Sequence, residues 1–314
     1  PPGEGDYVRR MAWPIINGVS ILHWHCNRGK RSLGLDLRKD DAVELYLDLV
    51  ERANVVIEAM RPGALARRGI TWERMQERNP SLVFVTISGF GMTGPFKDLP
   101  SHGIAFDTWA AVAPVERDEQ GFTYLGDHVS IGTKAAPVWA ALGVVSALYR
   151  ARATGEGARL DIAQSDAAAA INWLRIEGFR AYERPEDEVT GNPSDNYERR
   201  EPGVAGMKDG VRYQVYESSD GYLLVMASER EFWQNFCNGI GRPDLFEAHP
   251  GEKYADHARG NTALRRELWD IFRTRTTQEW VQFGVEVNVP IAPVHDARSI
   301  TRDPQFQDRF PWLP

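Results

Sequence analysis

The chain has 314 residues, 42% hydrophobic and 26% charged, enough to bury a large core and to divide into two domains. With 37 basic against 44 acidic residues its formal charge is −7, which excludes wholesale electrostatic binding to nucleic acid or to an anionic membrane, so a polyanionic ligand needs a local cationic cluster. Cys26 and Cys237 are too few for a disulfide framework, no apolar run approaches the roughly 20 residues of a membrane span, and no signal peptide opens the sequence, so a cytoplasmic protein is expected.

The ends are turn-rich, Pro1-Pro2-Gly3 without an initiator methionine and Pro311-Trp312-Leu313-Pro314, and read as the limits of a middle portion of a longer protein. Leu33-Gly34-Leu35-Asp36-Leu37 alternates as a strand, and 40–52 carries Val43, Tyr46, Leu47 and Val50 on one helical face. Residues 54–59 form a second strand, 71–77 a second helix and 82–88 a third strand. That β-α-β-α-β order predicts a mostly parallel sheet with Rossmann-like βαβ units.

Glycine and proline then cluster over 89–95, either as a strand exit or as a loop that lets backbone approach a ligand. The segment 100–115 has weak helical periodicity, and 133–150 reads as a long apolar helix. Residues 159–162 alternate as a half-buried strand, and 167–179 have one broad apolar helical face. Asp166 falls at the turn between them. It reads either as an N-cap or as a carboxylate placed for covalent chemistry at the carboxyl end of a strand.

Between 180 and 210 the composition turns to Glu, Arg, Asn, Pro and Gly, which places a linker at 186–210 between a large domain (1–185) and a smaller α+β domain (211–314). In the latter, 221–227 is a strand, 231–238, 262–274 and 277–283 are helices, and Val289-Pro290-Ile291-Ala292-Pro293-Val294 is an edge strand at best.

Three constellations carry possible chemistry. Asn27-Arg28-Gly29-Lys30-Arg31-Ser32 gathers cations that clamp phosphates or make a solvated basic turn. Arg61-Pro62-Gly63-Ala64-Leu65 follows the second strand, where parallel sheets bind ligands. His23-Trp24-His25, alternate histidines on a strand, lacks a further ligand at metal spacing, so no metal is expected. Neither a Walker loop nor a Gly-x-Ser-x-Gly elbow is present.

The first two of these motifs, together with Leu35-Asp36-Leu37, Glu58-x-x-Arg61-Pro62-Gly63, Asn79-Pro80, Ser88-Gly89-Phe90-Gly91 with Thr93-Gly94-Pro95, and Gln164-x-Asp166-Ala167, resemble the family III coenzyme A transferases, the CaiB/BaiF group. The matches keep the family's order and cover nearly all of the chain. The resemblance implies an α/β fold of interlocked homodimers and a preceding strand-helix unit and a returning C-terminal segment that are absent here.

It further implies that Asp166 attacks an acyl-CoA thioester. CoA, the co-substrate, would be held by Asn27, Arg28, Lys30, Arg31, Arg61, Pro62, Gly63, Leu65, Gly89, Phe90 and Gly91, and a small carboxylic acid would be the acceptor. One branch of the fold resembles α-methylacyl-CoA racemase, for which the acid/base candidates are His102, Asp127 and Glu229. A third reading is a non-catalytic CoA-binding half of a fused protein.

Overall fold

The computed structural model describes residues 5–191, 208–252 and 256–310. By internal packing the chain separates into two compact units, residues 1–176 and 177–314. The expected linker, 186–210, lies largely outside the described residues.

The first unit opens with a small antiparallel pair, β1 (Ile15–Ile16) and β2 (Val19–Ser20), and helix α1 (Ile21–Asn27). His23, Trp24 and His25 therefore lie on a helix and not on the expected strand, because Ser20 caps its first turn by accepting the His23 N–H. Neighbours two apart on a helix point to different sides, which removes the metal geometry considered for the two histidines.

Residues 33–37 also depart from expectation. No ladder forms there among the described residues, and Asp36 instead binds the Arg38 backbone and guanidinium in a turn. Helix α2 (Asp40–Glu51) follows, then β3 (Val55–Glu58), α3 (Trp72–Arg78) and β4 (Val83–Ser88).

Beyond β4 come α4 (Ile104–Trp109), a hairpin of β5 (Val115–Arg117) and β6 (Thr123–Leu125), α5 (Gly132–Thr154), β7 (Ala158–Ala163), α6 (Gln164–Ile171) and α7 (Trp173–Tyr182). The sheet order is β3-β4-β7, parallel throughout, with Thr86 opposite both Glu58 and Asp161. Val43, Leu47, Ile70, Met75 and Phe84 form the core on one face, and Val83, Val85 and Ala140 that on the other. A sheet covered by helices on both faces explains the unbroken Val-Phe-Val of β4.

The helix expected over 167–179 is two helices. Asn172 ends α6 and donates its side-chain amide to the Ala110 carbonyl at 2.9 Å, pinning the joint to the end of α4.

In the second unit β10 (Ile291–Pro293), β9 (Tyr222–Met226) and β8 (Tyr213–Glu217) form an antiparallel sheet with β10 at its edge, where Pro293 costs no ladder bond. Helices α8 (Arg230–Gly239), α9 (Pro243–Ala248), α10 (Thr262–Phe272), α11 (Thr277–Val287) and α12 (Pro304–Arg309) complete it. Its core is aromatic, with Trp233, Phe236, Phe272 and Trp280 all fully buried.

Candidate active site

The carboxyl ends of β3 and β4 open onto a cavity of about 270 Å3, lined by Arg61, Pro62, Arg67, Gly89, Phe90 and Lys97 among others. Gly63 adopts a positive φ of 75°, which turns the chain back so that Arg67 donates to the Pro62 carbonyl. Leu65, by contrast, is 4% exposed and packs with Val43, Leu47 and Met75, so its side chain serves the core.

Gly89, Gly91 and Gly94 stand at Gly-x-Gly-x-x-Gly spacing directly after β4. The chain nonetheless reaches its next helix only at Ile104, so no helix N-terminus cradles a pyrophosphate at that loop. At position 89 a side chain would press into the Phe106 ring at 2.8 Å.

The first basic cluster sits elsewhere. Asn27, Lys30 and Arg31 line a second cavity, of about 430 Å3, together with Arg9, His23 and Asp6, while Arg28 is exposed at the end of α1. Each cavity thus holds cations that sequence reasoning missed: Arg9 in one, Arg67 and Lys97 in the other. Arg67, four residues past Gly63, was the one with a visible signal.

Asp166 is not at a turn. It is the third residue of α6, whose N-cap position is Ala163, and its carboxylate accepts the Ser165 hydroxyl at 3.1 Å. The N-cap reading is thereby corrected, since no side chain caps this helix. Asp166 borders a cavity of about 390 Å3 shared with Gly91, Gly94, Phe96, Trp109 and Asp161. Phe90 borders both this cavity and the one holding Arg61.

Asp127 occupies a different kind of position. It is exposed, and among the described residues nothing hydrogen-bonds or ion-pairs with its carboxylate. The loop that carries it, 126–131, leads into the 23-residue helix α5. A side chain at Gly126 would run into the Glu116 carboxylate and the Pro114 ring, and one at Gly132 would meet Phe106 Cβ at 2.8 Å and the Gln164 carbonyl at 3.0 Å. Glycine at 132 follows from close packing, whereas at 126 the main obstacle is the movable end of the exposed Glu116 side chain.

The same loop rests on Asp107, which is fully buried on α4. Its carboxylate accepts the Gly132 N–H at 2.8 Å, the Ser130 hydroxyl at 2.7 Å and the Ile131 N–H at 2.9 Å. Burial pushes the Asp107 carboxyl up, but these bonds and the nearby His128 outweigh it and hold its pKa below the ordinary carboxylate value.

His102 and Asp127 are both exposed, and no hydrogen bond joins them among the described residues. Glu229 belongs to the second unit, just before α8, where its carboxylate accepts the Ser228 hydroxyl. Among the described residues no group of three His, Cys, Asp or Glu side chains could hold a metal ion, and no helix is long and apolar enough to cross a membrane.

Across residues 1–312 the chain matches the family model described as CoA-transferase family III. The chain belongs to CoA-transferase family III. It is 30% identical over 291 residues to a succinyl-CoA:mesaconate CoA-transferase of Haloarcula hispanica, covering 90% of this chain and 68% of that protein. To an acetyl-CoA:oxalate CoA-transferase of Acetobacter aceti it is 25% identical over 309 residues, covering 98% of this chain and 76% of that protein. In fold it is similar to a CAIB/BAIF family protein from Brucella suis, with a TM-score of 0.75 at 22% identity over 98% of this chain and 78% of that one. As a member of family III it is an enzyme that transfers CoA.

Proposed function

We propose that this family III transferase moves CoA from an acyl-CoA thioester to a short carboxylic acid, with Asp127 as the carboxylate that carries the exchange. The observation that supports Asp127 is its freedom: it has no partner among the described residues, on a loop held by a fully buried carboxylate and ending at a sterically required glycine, Gly132. A carboxylate that does no structural work on so fixed a support is preorganised for attack.

In the reaction an Asp127 oxygen attacks the donor's carbonyl carbon, the C–S bond breaks, and CoA leaves as thiolate, giving a mixed anhydride of Asp127 and the donor acid. The thiolate attacks the aspartyl carbonyl, releasing the donor acid and leaving an aspartyl-CoA thioester. The acceptor carboxylate attacks the aspartyl carbonyl of that thioester, and the C–S bond breaks to give a second mixed anhydride and free thiolate. The thiolate then attacks the acceptor's carbonyl carbon, forming the new acyl-CoA and freeing the Asp127 carboxylate. No proton or electron is consumed. The two basic cavities, Arg9/Lys30/Arg31 and Arg61/Arg67/Lys97, suit the separated phosphates of CoA.

A second assignment of the carboxylate, Asp166, is favoured by the cavity it borders, about 390 Å3 beside the Gly91–Gly94 loop. Relatives named for oxalate and mesaconate support a short dicarboxylate acceptor. The family resemblance supports an interlocked homodimer, which sedimentation would test.

The reaction itself is tested by offering acetyl-CoA and succinyl-CoA against two- to five-carbon mono- and dicarboxylates with mass-spectrometric readout. A new acyl-CoA supports transfer. Deuterium uptake by a 2-methylacyl-CoA, with no exchange for any pair, would replace it with racemisation through His102 and Asp127.

A further inference from the structure

Beneath the Asp127 loop lies a polar cluster that the reaction as written does not use. Asp107 on α4 takes three hydrogen bonds from residues 130–132, while His128 bonds the Gly126 carbonyl through Nδ1 at 2.9 Å and brings Nε2 to 3.8 Å from Asp107 Oδ2. His128 Nε2 is itself buried without a hydrogen-bond partner. Every one of these contacts falls on a residue flanking Asp127, on one side 126 and on the other 128 and 130–132.

A buried carboxylate is a costly way to cap a helix, because a serine or threonine preceding it would satisfy the same N–H groups without burying charge. What the carboxylate adds is reach. From another helix it fixes both the start of α5 and the hydroxyl at Ser130, so the loop cannot slide along the α5 axis. The other charged group packed near the loop, Glu116 on β5, is engaged by the Tyr124 hydroxyl at 2.7 Å, which leaves Asp107 as the anion facing His128.

We propose that Asp107 is a positioning residue for CoA transfer, holding the loop so that Asp127 meets the thioester carbon, with Ser130 and His128 as its contacts. This rests on the reading of Asp127 as the attacking carboxylate. A displacement of about 1 Å at a reacting group costs on the order of 100-fold in rate.

The test uses the full chain with Asp107→Asn, Ser130→Ala and Ser130→Thr, following formation of the covalent aspartyl adduct in a single turnover. Asn keeps the shape but presents an NH2 or loses charge where the Ser130 hydroxyl and the Ile131 and Gly132 N–H groups need an acceptor. Adduct formation should slow by about 10- to 100-fold in Asp107→Asn and by less in Ser130→Ala, with KM for acyl-CoA within about twofold of wild type and the final adduct yield unchanged. Ser130→Thr, which keeps the hydroxyl, should restore the rate.

A merely structural role predicts instead a yield that falls with the folded fraction and an unchanged rate in what remains; that result, or wild-type rates in both Asp107→Asn and Ser130→Ala, overturns the proposal. Should Asp107→Asn fail to fold, the Ser130 pair decides alone. The supporting reading fails separately: an adduct that persists in Asp127→Asn and maps to Asp166 removes the nucleophile on which the positioning role depends.

Discussion

Replacing Asp107 by alanine measures how strongly the start of α5 depends on one side chain. The change leaves the Ile131 and Gly132 N–H groups without the acceptor they now reach at 2.9 and 2.8 Å, while the Ser130 hydroxyl keeps Thr133 Oγ1 at 3.0 Å. An orphaned buried donor costs about 1–3 kcal/mol. Taking the low end for each of the two, because the vacated space admits water, gives about 2 kcal/mol, or a fall of roughly 4–8 °C in melting temperature for a unit of this size.

The pH dependence follows from the direction of the Asp107 shift. Because the folded state holds its pKa below the unfolded value, the stabilisation is fully present above the unfolded value and is lost as pH falls through the folded one. Thermal melts followed by circular dichroism should therefore separate wild type from Asp107→Ala most at neutral pH and bring them together in acid. Equal melting temperatures at neutral pH, or a gap that widens in acid, would refute the reasoning.

Arg67→Ala and Lys97→Ala should each weaken CoA binding by about 1.5–3 kcal/mol if they meet a phosphate, with the loss shrinking as salt rises; isothermal titration at two ionic strengths checks both. Leu65→Ala should destabilise by about 2–5 kcal/mol through a core cavity while folded protein keeps its CoA affinity, as urea melts and titration would show. Gly157→Ala, whose new methyl would run into the Leu82 carbonyl, should cost about 1–3 kcal/mol by forcing β7 off β4, and an unchanged melting temperature would contradict that packing.

Much of the first unit was legible because its elements announce themselves locally. Val43, Leu47 and Val50 mark α2 by period, and β4 is too uniformly apolar to lie anywhere but between two helical layers. Residues 33–37 misled because alternation makes a strand only where a neighbouring strand supplies hydrogen bonds, and Asp36 bonds locally with Arg38 instead. His23 and His25 misled for the opposite reason: Ser20, three residues before His23, is a helix-capping residue, and the cap it makes outweighs the apparent alternation.

At the site the basic residues were readable as residue types, but their division between two cavities was not, because spacing along the chain does not say which loops meet. Asp166 drew attention as a carboxylate between strand and helix. The support under Asp127 was hidden because it comes from Asp107, twenty residues earlier and across a hairpin. Only the Gly126-Asp127 pair and Gly132 hinted at it in sequence, and those glycines acquire meaning once Glu116, Phe106 and Gln164 are seen against them.

The central claim is that Asp127 becomes covalently linked during transfer, and the most direct measurement is to trap that state and locate it. Incubation with acyl-CoA, then hydroxylamine, then trypsin, yields residues 118–134 and 160–175 as the peptides holding Asp127 and Asp166. The account predicts modification at Asp127, lost in Asp127→Asn and retained in Asp166→Asn. Modification confined to the 160–175 peptide, abolished by Asp166→Asn and untouched by Asp127→Asn, would contradict it.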